Sequence, residues 1–169
     1  MQLHHSLQNL SLASSYVTIG SFDGVHVGHQ AVIQALASAA RTAGMPSVVI
    51  TFHPHPAVVL RGVTGPFYLT SPQERADLVA SLGVDHLIIL PFDLSLAQRT
   101  AYEFMQDCRQ ALGMEKLWVG FDFKLGKNRE GTPLYLSIIG QQLGYSIQVL
   151  QPFRLNEQVV SSSLIRQLL

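Results

Sequence analysis

Charge is sparse in this sequence: lysine plus arginine number 11 and aspartate plus glutamate 11 among 169 residues, for a formal net charge of +0. A nucleic-acid partner held through its phosphates needs a basic field, and none is present, so that class is excluded. Cysteine is scarcer still. The single Cys108 can form no intramolecular disulfide, and with Phe104, Met105, Ala111 and Leu112 at helical spacing it reads as core filler of a reducing compartment. No window approaches the roughly 18 uninterrupted apolar residues of a membrane span. The opening MQLHHSLQNLSLASS holds no lysine, arginine or long apolar run, so it does not read as a signal peptide, and a cytoplasmic protein is expected. The pattern G-x-x-x-x-G-K-[ST] occurs nowhere, which excludes a Walker-type phosphate loop. Repeats, low-complexity tracts and linkers are also lacking, so one domain is expected over residues 1–169.

What the chain does have is strand-length apolar runs alternating with helical periodicity. SYVTIGS at 15–21 and SVVITF at 47–52 are short and β-branched, the signature of strands buried on both faces. Between them Val32, Leu36, Ala39, Ala40 and Ala43 mark one face of a helix that Gly44 closes. Strand, helix and strand in that order predict a right-handed βαβ unit. Prolines and glycines break every period in HPHPAVVLRGVTGPFYLT, 53–70, which predicts a long loop. Ser71-Pro72-Gln73-Glu74 is a capping box opening a helix through Leu82. DHLIILP at 85–91 predicts a third strand, and Ser95 to Leu112 one strongly periodic helix. KLWVGF at 116–121 predicts a fourth strand with Trp118 in the core, and SIQVL at 146–150 a fifth. Between those two, Thr132-Pro133 starts a helix that ends before Gly144. A short strand at Gln158–Val160 and a helix starting near Ser162 complete the chain. With Ile165, Leu168 and Leu169 apolar and no cap evident, that last helix is expected either to be cut short or to pack on a missing domain or a partner. The expected fold is α/β: Rossmann-like, doubly wound, a mainly parallel five-stranded sheet with helices on both faces.

Such sheets bind ligands at the carboxyl ends of their strands, where strand order reverses, and GSFDGVHVGH at 20–29 follows the first strand directly. Glycines 20, 24 and 28 let backbone approach a ligand closely. The helix N-terminus that follows favours an anion. His26 and His29, three apart, share one face of its first turn, and both can donate to phosphate oxygens. That is the equipment for stabilising charge on a phosphate under attack, which is most of what nucleotidyl transfer requires. The two histidines could instead share a metal, with His53 and His55 in another strand-end loop. No cysteine or carboxylate cluster completes a zincin-type pattern, so no metal held by side chains is expected. Lys124, Lys127, Arg129 and Glu130, with Gly126 and Gly131, make a mobile, locally basic loop. Arg61 and Arg75 belong to no motif.

G-x-F-D-G-x-H-x-G-H at 20–29 resembles the H-x-G-H motif of the nucleotidyltransferase superfamily, in the form found in prokaryotic bifunctional riboflavin kinase/FMN adenylyltransferase (FAD synthetase). TFHPHP at 51–56, VGFDFKLGKNREG at 119–131 and VSSSLIR at 160–166 are similar to further motifs of that family. The likeness runs from about Tyr16 to Leu169, the adenylyltransferase module, and stops where the family's riboflavin kinase domain would begin. The resemblance implies that ATP and FMN, with Mg²⁺, give FAD and pyrophosphate. It implies His26 and His29 as ligands of the ATP phosphates and the transition state, with Gly20, Ser21, Phe22, Asp23 and Gly28 lining the nucleotide. Asp122 falls in a shared nucleotide and flavin site, and Ser161, Ser162, Ser163 and Arg166 in a cradle for pyrophosphate. Phe52, Pro54, Pro56 and Phe123 would wall the isoalloxazine ring. Ser163 stands where the family usually has threonine, Leu164 where a polar residue is common, and Leu125 where phenylalanine is common. Two other classes stay open on the residues alone: another H-x-G-H nucleotidyltransferase acting on a different phosphorylated small molecule, and a non-catalytic flavin- or nucleotide-binding module.

Overall fold

Each strand-length apolar run becomes a parallel strand, and the helical runs cross back over one face or the other. The computed structural model describes residues 1–169. In chain order the elements are β1 (Gln2–His4), β2 (Ser15–Ile19), α1 (Val27–Ala43), β3 (Ser47–His53), α2 (Pro56–Arg61), α3 (Pro72–Ser81), β4 (His86–Pro91), α4 (Leu94–Ala97), α5 (Ala101–Leu112), β5 (Met114–Gly120), α6 (Pro133–Leu143), β6 (Ser146–Leu150), β7 (Arg154–Leu155), β8 (Gln158–Val159) and α7 (Ser162–Leu168). The main sheet runs β1-β4-β3-β2-β5-β6, with every pairing parallel.

Alternation along the strands decides which face each side chain serves. Val17, Ile19, Val48, Ile50, Leu117 and Val119 pack with Phe104, Met105 and Cys108 of α5 and with Leu136 and Ile139 of α6. Val49, Leu87 and Ile89 point the other way, onto Ile33 and Leu36 of α1 and Val79 of α3. The sheet is thus covered on both sides, as a parallel sheet must be, and Cys108 is core as expected. Trp118 sits at the margin of the α1-side cluster rather than inside it.

The departures have local causes. The sheet has six strands, not five, because β1 adds to the outer edge of β4 through Gln2↔His86 and Leu3↔Leu87; three residues at a half-exposed edge show no period to detect. The expected loop at 53–70 contains α2. Pro56 opens it at the first turn, the His55 side chain accepts from Ala57 N–H, and Gly62 closes it. The expected single helix at 95–112 is two, since Thr100 and Glu103 form a capping box that starts α5 afresh. The basic loop is pinned rather than mobile: Leu125 pairs with Gly131, and a Glu130 carboxylate oxygen accepts from Ala101 N–H at 2.8 Å. Finally, α7 does have an N-terminal cap, the Ser161 hydroxyl accepting from Leu164 N–H at 3.1 Å, while Leu168 and Leu169 are exposed.

Candidate active site

From β2 the chain builds outward through β3 and β4 on one side, and β5 and β6 lie on the other, so strand order reverses between β2 and β5. A cleft of about 290 Å³ opens there, at the carboxyl ends. Its walls are Thr18, Ile19, Gly20, Ser21 and Phe22 from β2 and the turn after it, His26, Gly28, His29 and Val32 from α1 and its cap, and Gly120, Phe121, Asp122 and Phe123 after β5. Leu150, Gln151, Pro152 and Phe153 follow β6, and Val159, Val160, Ser161 and Ser162 lead into α7. A wider, more open hollow of about 620 Å³ lies at the opposite end of the sheet beside Gly44 and Gly83. Those glycines follow the carboxyl ends of α1 and α3, where helix dipoles repel an anion, so the smaller cleft is the candidate for phosphate.

The turn between β2 and α1 is wound tightly. Phe22, Gly24 and Val25 all have positive φ, at 46°, 82° and 40°, and for a β-branched valine this is a costly conformation. A Cβ on Gly24 would stand 2.8 Å from Leu69 Cδ1, so the position needs glycine on two counts. What holds the turn is Asp23, which has 0% exposure. Its carboxylate accepts from Leu69 N–H at 3.1 Å, Thr70 N–H at 3.0 Å, the Thr70 hydroxyl at 3.1 Å and Arg166 Nη2 at 2.6 Å. Arg75 Nη2 lies 3.9 Å away. Burial opposes the negative charge, but the bonds from Leu69, Arg166 and Thr70 outweigh it and hold the group below the usual carboxylate range.

His26 is the N-cap of α1. Its Nδ1 accepts from Gly28 N–H at 3.2 Å and His29 N–H at 3.4 Å, so in the neutral ring the proton sits on Nε2. The two imidazoles stack, centroids 3.6 Å apart and planes 24° off parallel. The Phe22 ring meets His29 edge-on at 5.1 Å. His29 Nδ1 is shut off from solvent without a hydrogen-bond partner. Burial, helped by His26, Arg75 and Arg166 and opposed by Asp23, lowers His29 to about 3, and burial also lowers His26. Both rings are therefore neutral at pH 7 and can offer N–H donors without a counter-ion.

Of the residues singled out from sequence, Gly20, Ser21, Phe22, His26, Gly28, His29, Asp122, Phe123, Ser161 and Ser162 line this cleft. Asp23 lies beneath it as a structural anchor. The Ser162 hydroxyl donates to the Asp23 carbonyl at 2.9 Å. Arg166 is not among the lining residues; its Nε donates to the Phe67 carbonyl at 2.9 Å and its guanidinium lies 3.9 Å over the Phe67 ring. Ser163 is not among the lining residues. Phe52 packs toward the core against Phe92 and Phe104, at 5.8 and 6.3 Å. Pro54 follows His53 through a cis peptide, and Pro56 opens α2. Sequence reasoning missed the rim aromatics Phe121 and Phe153, 45% and 40% exposed, and the buried Arg75. No group of three or more His, Cys, Asp or Glu side chains converges as a metal site.

Residues 8–164 match the family described as FAD synthetase. Over 173 aligned residues the chain is 36% identical to the bifunctional riboflavin kinase/FMN adenylyltransferase of Escherichia coli K12, covering 100% of this chain and 55% of that protein. It is 35% identical to a protein of Geobacillus thermodenitrificans named as a putative member of the same type, covering 100% of this chain and 90% of that one. The crystal structure of a Streptococcus pneumoniae protein described as a macrolide-efflux protein superposes with TM-score 0.85 at 27% identity, covering 98% of this chain and 56% of that one. The chain spans about half the length of several of the curated relatives it matches.

Proposed function

The chain belongs to the FAD synthetase family, and we propose that it transfers the adenylyl group of ATP, taken up with Mg²⁺, to FMN, giving FAD and pyrophosphate. The observation that carries this reading is the stacked pair of neutral histidines at the N-terminus of α1, set in the cleft where strand order reverses.

An oxygen of the FMN phosphate attacks the α-phosphorus, the bond from that phosphorus to the bridging oxygen breaks, and pyrophosphate departs with the electron pair. FMN's phosphate is ionised near neutral pH, so the attack needs no strong general base. The protein's task is to hold two anions together and to meet the charge that builds on the phosphoryl oxygens. His26 offers its Nε2–H, and His29 lies against it under the dipole of α1. Gly20, Ser21, Phe22 and Gly28 line the nucleotide, and Asp122 borders both substrates. Ser161, Ser162 and Ser163, with Arg166 behind them, stand on the pyrophosphate side. Phe52, Pro54, Pro56 and Phe123 flank the strand ends where the isoalloxazine would lie. Residues 1–169 act as one adenylyltransferase unit, and a cytoplasmic setting supplies both substrates.

The test is to incubate the purified chain with FMN, ATP and Mg²⁺ and to measure FAD and pyrophosphate, with CTP replacing ATP in one arm and riboflavin replacing FMN in another. FAD formed from ATP and FMN alone is the expected result. Binding of both substrates without pyrophosphate release would reduce the chain to a binding module, and turnover with CTP would move it elsewhere in the superfamily.

A further inference from the structure

Arg75 projects from the first turn of α3 into the interior with no exposed surface at all. Its Nη1 donates to the Thr51 hydroxyl at 3.2 Å and to the Phe52 carbonyl at 3.0 Å, while Nε and Nη2 are buried with no hydrogen-bond partner. Unused donors on a buried cation are expensive. Apolar replacement of buried ion pairs is often neutral or stabilising, so stability is weak ground for keeping a guanidinium here. The charge balance around it is uneven. Asp23 is the one carboxylate near it, and the same carboxylate already binds Arg166 at 2.6 Å. Two guanidiniums therefore share one negative charge.

We propose, building on the phosphate-site reading above, that Arg75 is a positioning residue which adds a second guanidinium to the Asp23–Arg166 pair and so fixes one net positive charge behind the histidine pair. An Asp23–Arg166 pair alone would be neutral and would organise the turn without attracting an anion. The third member converts it into a cationic cluster. Both guanidiniums act on His29 against Asp23, so the cluster's field reaches the cleft. Held in a dry interior, that charge is screened by salt far less than a surface lysine would be, which suits a chain whose formal net charge is +0.

The experiment is calorimetric titration of the whole chain with ATP, AMP and adenosine, without magnesium, for the wild type and for Arg75→Lys, Arg75→Gln and Arg75→Met. Folding of each is checked by circular dichroism. Arg75→Met brings the cluster to zero. If it weakens ATP about tenfold it should weaken AMP only about threefold, because the logarithm of the effect scales with ligand charge, and adenosine should bind unchanged. Arg75→Gln, which keeps donors for Thr51 and Phe52 but carries no charge, should lose ATP and AMP in the same proportion as Arg75→Met, whereas Arg75→Lys keeps the charge and should bind ATP within about twofold of the wild type. Equal losses for ATP, AMP and adenosine, or an Arg75→Lys form that binds ATP as weakly as Arg75→Met, would overturn the inference. Where Arg75→Met does not fold, Arg75→Lys and Arg75→Gln decide the matter: the wild-type ATP-to-AMP affinity ratio in the lysine form and a lowered one in the glutamine form support it, and equal ratios in the two refute it. Failure of the wild type to bind ATP would instead sink the proposed function. FAD synthesis by a wild type whose Arg75→Met form loses all three ligands equally would sink only this inference.

Discussion

His29 makes acid stability a direct probe of the site. Its ordinary value of 6.5 falls to about 3 in the folded chain, so below pH 6.5 the unfolded state takes up a proton that the folded state refuses. The stabilisation is complete above about pH 6.5 and is lost as pH falls toward 3, at about 1.4 kcal/mol per pH unit. Between pH 7.5 and pH 5.0 the loss attributable to this ring is about 2 kcal/mol, an upper bound, since the ring also faces the cleft. Urea unfolding of the wild type and of His29→Gln at the two pH values isolates it from the chain's other histidines. The wild type should lose about 2 kcal/mol more than the variant, a midpoint difference of about 1 M for ordinary urea slopes. Equal losses would mean that His29 titrates as an open surface histidine, and the picture of a neutral donor pair would fail. The linkage also runs to ligand: a bound triphosphate raises the His29 value, so saturating ATP should reduce the wild type's acid sensitivity and leave that of His29→Gln little changed.

Three further outcomes follow from particular contacts. His29→Ala should lower FAD turnover by about a hundredfold or more, the loss of one transition-state donor, with little change in FMN affinity by fluorescence titration. Gly113→Ala should destabilise the fold by more than about 1 kcal/mol in denaturant melts, because Gly113 has φ of 55° and a Cβ there would stand 2.4 Å from the Ala13 carbonyl oxygen. Thr100→Ala should cost about 1 kcal/mol in the same assay, since the Thr100 hydroxyl accepts from Glu103 N–H at the start of α5.

The core strands and the major helices were legible because each obeys one local rule over enough residues: β-branched runs bounded by glycine, apolar faces at helical spacing, a capping box at Ser71 and an N-cap threonine at Thr132. The shorter elements were not. β1 is a three-residue edge strand defined by its pairing partner rather than by any pattern of its own. α2 was hidden inside a proline-rich stretch although its start and stop signals, Pro56 and Gly62, were both present, and the Thr100 capping box was overlooked because the apolar period runs through it. At the site, the H-x-G-H turn was legible as a motif, and ten of the residues it and its companions predicted meet in one cleft. Arg75 was invisible to motif reasoning. It could have been found from periodicity, since Arg75 and Val79 stand four apart on the buried face of α3, and a charge on an inward stripe demands a partner. The side-chain role of Asp23 could not have been found that way, because its partners at Leu69, Thr70 and Arg166 come from distant parts of the chain.

Those distant partners explain how a strained turn can sit at the centre of the site. Positive φ at Phe22 and Val25 would unwind in an isolated peptide, where nothing opposes the release of strain. Here the carboxylate between them is tied to residues 46, 47 and 143 positions away, and letting it go would strand two guanidiniums beside it, one of them fully buried. The turn therefore cannot relax without disrupting the contacts of α3, of the segment at 67–70 and of α7 together. Helix α7 is joined to the same point a second time by the bond from the Ser162 hydroxyl to the Asp23 carbonyl. The backbone that places His26 and His29 is held by the same charges that set the field around them, so geometry and electrostatics at this cleft are coupled. Substitutions at Asp23 should accordingly change stability and the cleft's field at once, whereas substitutions at His29, which anchors no other element, should alter the site with less effect on the turn.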